Sequence, residues 1–334
     1  MNSLLRTVTG PLSVTAVRGS VLAHEHLALD LSRPTDRTAS LTARHALAVA
    51  NELAGLRRQF ELSLVVELTC RGMGRDPAAL ARISWASGVA VVAGTGWYHE
   101  AFHPAEVEGA SVEELADRLV EEIEGGVDGP SPGVIGEVGS HGDRPSEPEV
   151  RTLTAAARAA VTTDLSLATH AQLGRGGLAQ LDVLTAAGLE PHRISIGHQD
   201  LFDDATVHRE LAAAGAYVAF DTVGKESYQS DTTRLRLLLS LLEAGHADRV
   251  LLSCDISRHS YLVGEGGHGY GHLFRSFLPR LRMAGADDEL IDLLTRRNPL
   301  RFLTGGDGAA GQPVRRGATV PLPESGLAER EASA

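Results

Sequence analysis

The chain has 334 residues with 43% hydrophobic content, enough to bury the core of one large domain or two ordinary ones. Its 43 acidic and 31 basic side chains leave a formal charge of −12. That balance argues against a nucleic-acid partner, which needs clustered Lys and Arg. No apolar run approaches the roughly 20 residues of a membrane span.

The start, MNSLLRTVTG, lacks the long apolar segment of a secretory signal, so a cytoplasmic location is expected. Residues 1–20 read as a short N-terminal β segment. The first apolar run, 21–29, contains His24-Glu25-His26. In an extended strand, residues i and i+2 share a side, so two imidazoles can grip one metal ion while Glu25 turns away. With 14 histidines in the chain such a pair alone is a weak signal. A helical stretch follows at 41–60, then apolar runs at 62–70 and 89–98. Trp97 in the latter suits the core, and Tyr98 suits either packing or a hydrogen bond to a substrate.

Ser111-Val112-Glu113-Glu114 is a capping-box pattern that opens a helix over 111–124. The run 133–140 carries Glu137 among apolar residues. After a helix at 147–163, the run 166–172 carries His170. A helix at 178–187 leads to 194–200, which carries His198. A helix at 204–214 precedes the run 216–223. Lys225 follows; it is the only lysine, against 30 arginines. A helix at 232–244 precedes the last run, 250–257, which carries Asp255, with Arg258 just beyond. The Gly- and His-rich stretch 264–272 suits a loop over a pocket, and its histidines, with His259, are not counted as ligands. His45, His192, His208 and His246 fall on helices or their ends and are expected to face solvent. From 305 to 334 composition turns to Gly, Pro and charge without period, as in a flexible tail. Cys70 and Cys254 read as reduced core thiols.

Eight runs apolar on both faces, alternating with helices, point to an α/β fold of the (β/α)8 TIM-barrel type over 21–304. A doubly wound sheet would carry a Gly-rich phosphate turn after an early strand, and none is present. Barrel active sites lie at the C-terminal strand ends. His24, His26, Glu137, His170, His198 and Asp255 all fall there. A carboxylate buried in an apolar strand is costly unless it is neutralised. Six such donors exceed one tetrahedral zinc site and suit two divalent ions, with Glu137 between them as the bridge.

The motifs VLAHEHL, GEVGS, THAQLG, IGHQDL and SCDISRHSYL, over roughly residues 5–304, resemble the phosphotriesterase family of the amidohydrolase superfamily. GWYHEAFHP, AYVAFDTVGKESY and GGHGYGH resemble its phosphotriesterase-homology branch. The resemblance implies that His24, His26, Glu137 and Asp255 hold one ion, and that Glu137, His170 and His198 hold the other. It implies a bridging hydroxide as nucleophile and Asp255 as base. Where the organophosphate-hydrolysing members carry a carbamylated lysine, Glu137 stands here. Where they carry a histidine after the strand-seven aspartate, Thr222 follows Asp221. The expected activity is hydrolysis of a small ester, lactone or amide, N-acyl included, bearing an anionic group bound by Lys225 and Arg258, with Tyr98 as a further substrate-binding candidate. A phosphoric ester hydrolase, or a metal-retaining binding protein without turnover, is the alternative. The expected cofactors are two divalent ions, Zn²⁺ before Mn²⁺, Co²⁺ or Fe²⁺. The expected partner is a small-molecule substrate, and a homodimer is left open.

Overall fold

A computed structural model describes residues 4–126 and 130–306. The tail expected from 305 lies, beyond Gly306, outside the described residues. Strands β1 (Leu4–Thr7) and β2 (Gly10–Ser13) form an antiparallel N-terminal hairpin. The barrel begins with β3 (Val21–Glu25), followed by a small ribbon of β4 (Leu29–Asp30) and β5 (Ser40–Leu41). The other seven barrel strands are β6 (Leu64–Glu67), β7 (Ala90–Thr95), β8 (Val134–Ser140), β9 (Leu167–Ala171), β10 (Ile194–Ile196), β11 (Tyr217–Phe220) and β12 (Val250–Leu252). Each pairs in parallel with its neighbours in the order β12-β11-β10-β9-β8-β7-β6-β3. The eight-stranded barrel expected from the apolar runs is present. Most strands are shorter than those runs, whose last residues turn out into the loops that carry the site.

The outer layer consists of α1 (Ala46–Phe60), α2 (Pro77–Ser87), α3 (Val112–Gly125), α4 (Glu147–Thr163), α5 (Gly177–Ala186), α6 (Ala205–Ala213), α7 (Asp231–Glu243) and the short α8 (Leu278–Met283), α9 (Asp288–Asp292) and α10 (Asn298–Thr304). The capping box at Ser111 and Glu114 starts α3 as expected. Helix α2 is not evident from apolar period, but its ends are well specified. Asp76 accepts from the Ala79 N–H, Pro77 occupies the first turn, and Gly88 closes the helix in the left-handed conformation.

Alternate strand residues separate two cores. Val21, Ala23, Leu64, Val66, Val134 and Ala168 fill the barrel interior, where Leu300, Phe302 and Leu303 of α10 join them. Leu22, Val65, Ile135 and Leu167 pack outward on the helices. Two strands break this alternation. In β3 the register shifts between Leu22 and Glu25, whose three steps face the two from Val65 to Glu67. In β8 it shifts between Ile135 and Val138, opposite Leu167 and Thr169. A bulge of one residue reverses the inward and outward positions beyond it. The reversal sends His24, His26 and Glu137 into the barrel and Glu25 out of it.

No ladder joins β12 to β3 among the described residues. The Glu25 carboxylate spans that seam instead, accepting from Ser253 Oγ, Cys254 N and Ile256 N, each at 2.8 Å. Replacing Glu25 with alanine leaves two buried N–H groups and a hydroxyl without an acceptor. At about 1–3 kcal/mol for each orphan, a loss of about 3 kcal/mol or more is expected. Thermal melting followed by circular dichroism should show Tm lowered by roughly 5 °C or more. An unchanged Tm would remove the seam role.

Candidate metal centre

Five strand ends deliver the six candidate donors to one place. His24 sits in the β3 bulge and His26 just past it, Glu137 sits in the β8 bulge, and His170 lies near the end of β9. His198 and Asp255 come just after β10 and β12, at backbone φ of 56° and 48°. That left-handed conformation is uncommon outside glycine, and it turns each chain sharply from strand to loop.

Glu137 is central. Its Oε1 lies 3.2 Å from His26 Nε2. Its Oε2 lies 3.3 Å from His24 Nε2, 3.3 Å from His170 Nδ1 and 3.5 Å from His198 Nε2. Asp255 Oδ1 is 3.2 Å from His26 Nε2 and 4.0 Å from His24 Nε2. Two donor groups therefore share one carboxylate: His24, His26 and Glu137, with Asp255 beside them, and Glu137, His170 and His198. These separations resemble the edge of about 3.3 Å expected for a tetrahedron of ligands 2.0–2.1 Å from an ion.

The donor atoms are short of partners. His24 Nε2, Glu137 Oε2 and Asp255 Oδ1 are buried without a hydrogen bond. His198 Nε2 and His170 Nδ1 face each other at 2.8 Å. Two imidazole lone pairs at that distance require a proton or a cation between them. Buried polar groups are costly when left unpaired, and divalent cations satisfy all of these at once. Imidazole and carboxylate donors suit Zn²⁺, Mn²⁺, Co²⁺ or Fe²⁺.

A second layer orients the rings. Asp221, after β11, reaches the far side of two of them, His24 Nδ1 at 2.8 Å and His198 Nδ1 at 2.9 Å. His24, His198 and Asp221 also form a close triad in their own right. Both Nε2 atoms face Glu137, however, so Asp221 works from behind as acceptor for two Nδ1–H groups and leaves the Nε2 lone pairs facing forward. His26 Nδ1 meets Thr69 Oγ1 at 2.9 Å, and Thr69 in turn donates to Glu67. His170 is turned the other way, with Nε2 on Gln172 Oε1 at 2.8 Å and Nδ1 toward Glu137. In the sequence Asp221 stands out only as a family landmark, and Glu67, Thr69 and Gln172 carry no motif of their own. A buried Glu67 two residues before Thr69 in an apolar run was the available signal.

Burial works to raise the Glu137 carboxyl, but the surrounding imidazoles, His24 foremost, outweigh it and hold it well below the usual range. Burial likewise opposes charge on His26, yet its hydrogen bonds to the Asp255 and Glu137 carboxylates push it up to about 10. The cluster already draws positive charge into its centre.

The remaining predicted residues line one cavity of about 280 Å³ above these donors. Lys225 is buried and pairs with Asp255 Oδ2, leaving Oδ1 to the histidines. Burial acts against its ammonium, but the Asp255 charge prevails and keeps it above the ordinary lysine value. Arg258 pairs with Asp36 and donates to Thr38 Oγ1 at 3.1 Å, so it also anchors the loop after β3. The Tyr98 hydroxyl lies 3.3 Å from His170 Nε2. Trp97 is fully buried, as expected. His99, unremarked in the sequence, lines the cavity too; burial and the neighbouring His170 push it down to about 3, so it stays neutral.

Two expectations are corrected. His45 and His208 are buried, not solvent-facing. His208 shares the inner stripe of α6 with Leu211 and Ala212 and packs edge-on against Phe220 at 5.5 Å. His45 stacks on His259 at 5.0 Å, and its Nδ1 accepts from the Thr42 N–H. Cys70 and Cys254 are both buried and free.

Comparison with known proteins supplies relatives for this geometry. The model of the phosphotriesterase family matches residues 3–303. The phosphotriesterase homology protein of Escherichia coli is 38% identical over 286 residues, covering 85% of this chain and 97% of that one. Its crystal structure, with phosphate in the active site, superposes with a TM-score of 0.83, covering 86% and 99% of the two chains at 37% identity. The N-acetyltaurine hydrolase of Rattus norvegicus is 29% identical over 347 residues, covering 91% and 99%.

Proposed function

The chain belongs to the phosphotriesterase family and is a hydrolase, and from that premise we propose that it cleaves a small carboxylic ester, lactone or amide bearing an anionic group. An N-acyl amide is the favoured member, because a relative of full length is an N-acetyltaurine hydrolase. The observation that carries the reading is Glu137, one buried carboxylate shared by two triads of metal-binding donors.

His24, His26, Glu137 and Asp255 would hold one divalent ion, and Glu137, His170 and His198 the other. When bound, such a pair lowers the pKa of water and polarises a carbonyl oxygen. The protein does the rest. Asp255 Oδ2 accepts the proton of the attacking water as its oxygen bonds to the carbonyl carbon. The same proton passes to the leaving nitrogen or oxygen as the acyl bond breaks. Lys225 keeps Asp255 ionised before attack, and Asp221 keeps the His24 and His198 rings from turning. Tyr98 and Arg258 stand in the cavity wall where a substrate would lie. A cavity near the lower end of the 300–1,000 Å³ usual for drug-sized ligands suits a small substrate.

The phosphoric-ester alternative has weaker support. Thr222 stands where organophosphate-hydrolysing members carry a histidine, and its hydroxyl is engaged with Asp200 Oδ2 at 2.6 Å. The test is a screen of metal-reconstituted protein against esters, lactones, N-acyl amino acids and phosphate esters, with metal content measured on the same sample. Turnover of an N-acyl or ester probe with about two ions per chain supports the proposal. A content near one ion, or turnover confined to phosphate esters, overturns it.

A further inference from the structure

Three lysine and arginine side chains line the cavity: Lys225, Arg258 and Arg33. The first two are neutralised within the protein, by Asp255 and by Asp36. Arg33 is not. Among the described residues no carboxylate lies within ion-pair distance of its guanidinium.

Arg33 is nonetheless held in place. It sits in the loop of the β4–β5 ribbon, where Arg33 and Asp36 exchange two backbone hydrogen bonds of 2.9 Å. Arg258 fastens that loop through Asp36 and Thr38, and the His259 N–H bonds the Thr38 carbonyl at 3.1 Å. On the opposite side the Arg33 guanidinium lies 4.1 Å from the centre of the Phe102 ring. One of its N–H groups donates to the Ala101 carbonyl at 3.1 Å. Stacking and a single hydrogen bond orient a planar fork and leave most of its five donors free. A guanidinium so arranged matches the paired oxygens of a carboxylate or sulfonate.

We propose that Arg33 is the subsite for the substrate's anionic group, selecting acyl compounds that carry a carboxylate or sulfonate away from the scissile carbonyl. The assignment rests on the hydrolase reading above. Lys225 and Arg258 then serve mainly as partners of Asp255 and Asp36, and Arg33 sets the specificity. A charge-assisted bidentate contact corresponds to a preference of about 10–100-fold.

The test compares N-acetyl-β-alanine with the neutral N-propylacetamide on the metal-loaded full chain, in wild type, R33Q and R33K. Both kinetic constants and equilibrium binding by calorimetry are measured. Wild type should favour the anion about 10–100-fold, carried in KM and Kd. R33Q should bring that preference to within about threefold, and R33K should restore part of it. A preference that persists in R33Q, or is absent from wild type, overturns the proposal. If neither probe is hydrolysed but binding shows the Arg33-dependent preference, the subsite stands and the acyl-hydrolase reading fails. Binding of neither probe overturns the subsite.

Discussion

Replacing Glu137 with glutamine is expected to empty both halves of the metal centre. The carboxylate is the only residue common to the two donor triads. Its oxygens reach four imidazoles between 3.2 and 3.5 Å. Glutamine keeps the shape but offers one oxygen and no charge. The two ions would then have Asp255 as the only other carboxylate among the six candidate donors, Asp221 lying behind the His24 and His198 rings. Loss of a residue that merely orients a ligand typically costs 10–100-fold in metal affinity. A shared direct ligand should cost more at each ion. Metal content measured by atomic emission should fall from about two ions per chain toward none, and kcat/KM by at least about 10³-fold. A variant that kept both ions would show that Glu137 is not the bridge.

Replacing Asp255 with asparagine should separate metal holding from proton transfer. Its Oδ1 points at His26 while its Oδ2 meets Lys225. Asparagine retains an oxygen for the first task and has no basic oxygen for the second. His24, His26 and Glu137 remain as ligands, so most of the metal should stay. Removal of a general base costs about 10²–10⁴-fold, and that loss should fall on kcat. A fall in kcat of less than about tenfold would assign proton transfer elsewhere.

The six candidate donors, which the structure brings together, were legible in the sequence because the chemistry is severe. Polar side chains at the ends of apolar strands must have a reason to be there, and Glu137 and Asp255 had few neighbours to satisfy them. Their inward direction was not legible. Counting by twos from Val21, which is interior, places His24 and His26 outside the barrel. A bulge between Leu22 and Glu25 reverses this, and the matching bulge in β8 does the same for Glu137. A run apolar on both faces gives no hint of an extra residue, because either register buries it. Asp221 escaped for a related reason. Its role depends on which neighbouring strand ends lie within reach, a matter of barrel register. The burial of His208 is written in the sequence, since its spacing from Leu211 and Ala212 marks the inner stripe of a helix.

The lone lysine makes the pocket chemically addressable. Lys225 is 6% exposed and is the chain's only ε-amine, so an amine-reactive reagent has one side-chain target in the entire protein. In the folded state that amine is shielded and tied to Asp255. Acylation by a soluble N-hydroxysuccinimide ester therefore reports how often the cavity wall opens. A lysine-specific protease can cut at this one place. Peptide mapping after acylation, which separates the α-amine from the ε-amine, or the fragment masses after proteolysis, gives a count of zero or one at residue 225 without any engineered label.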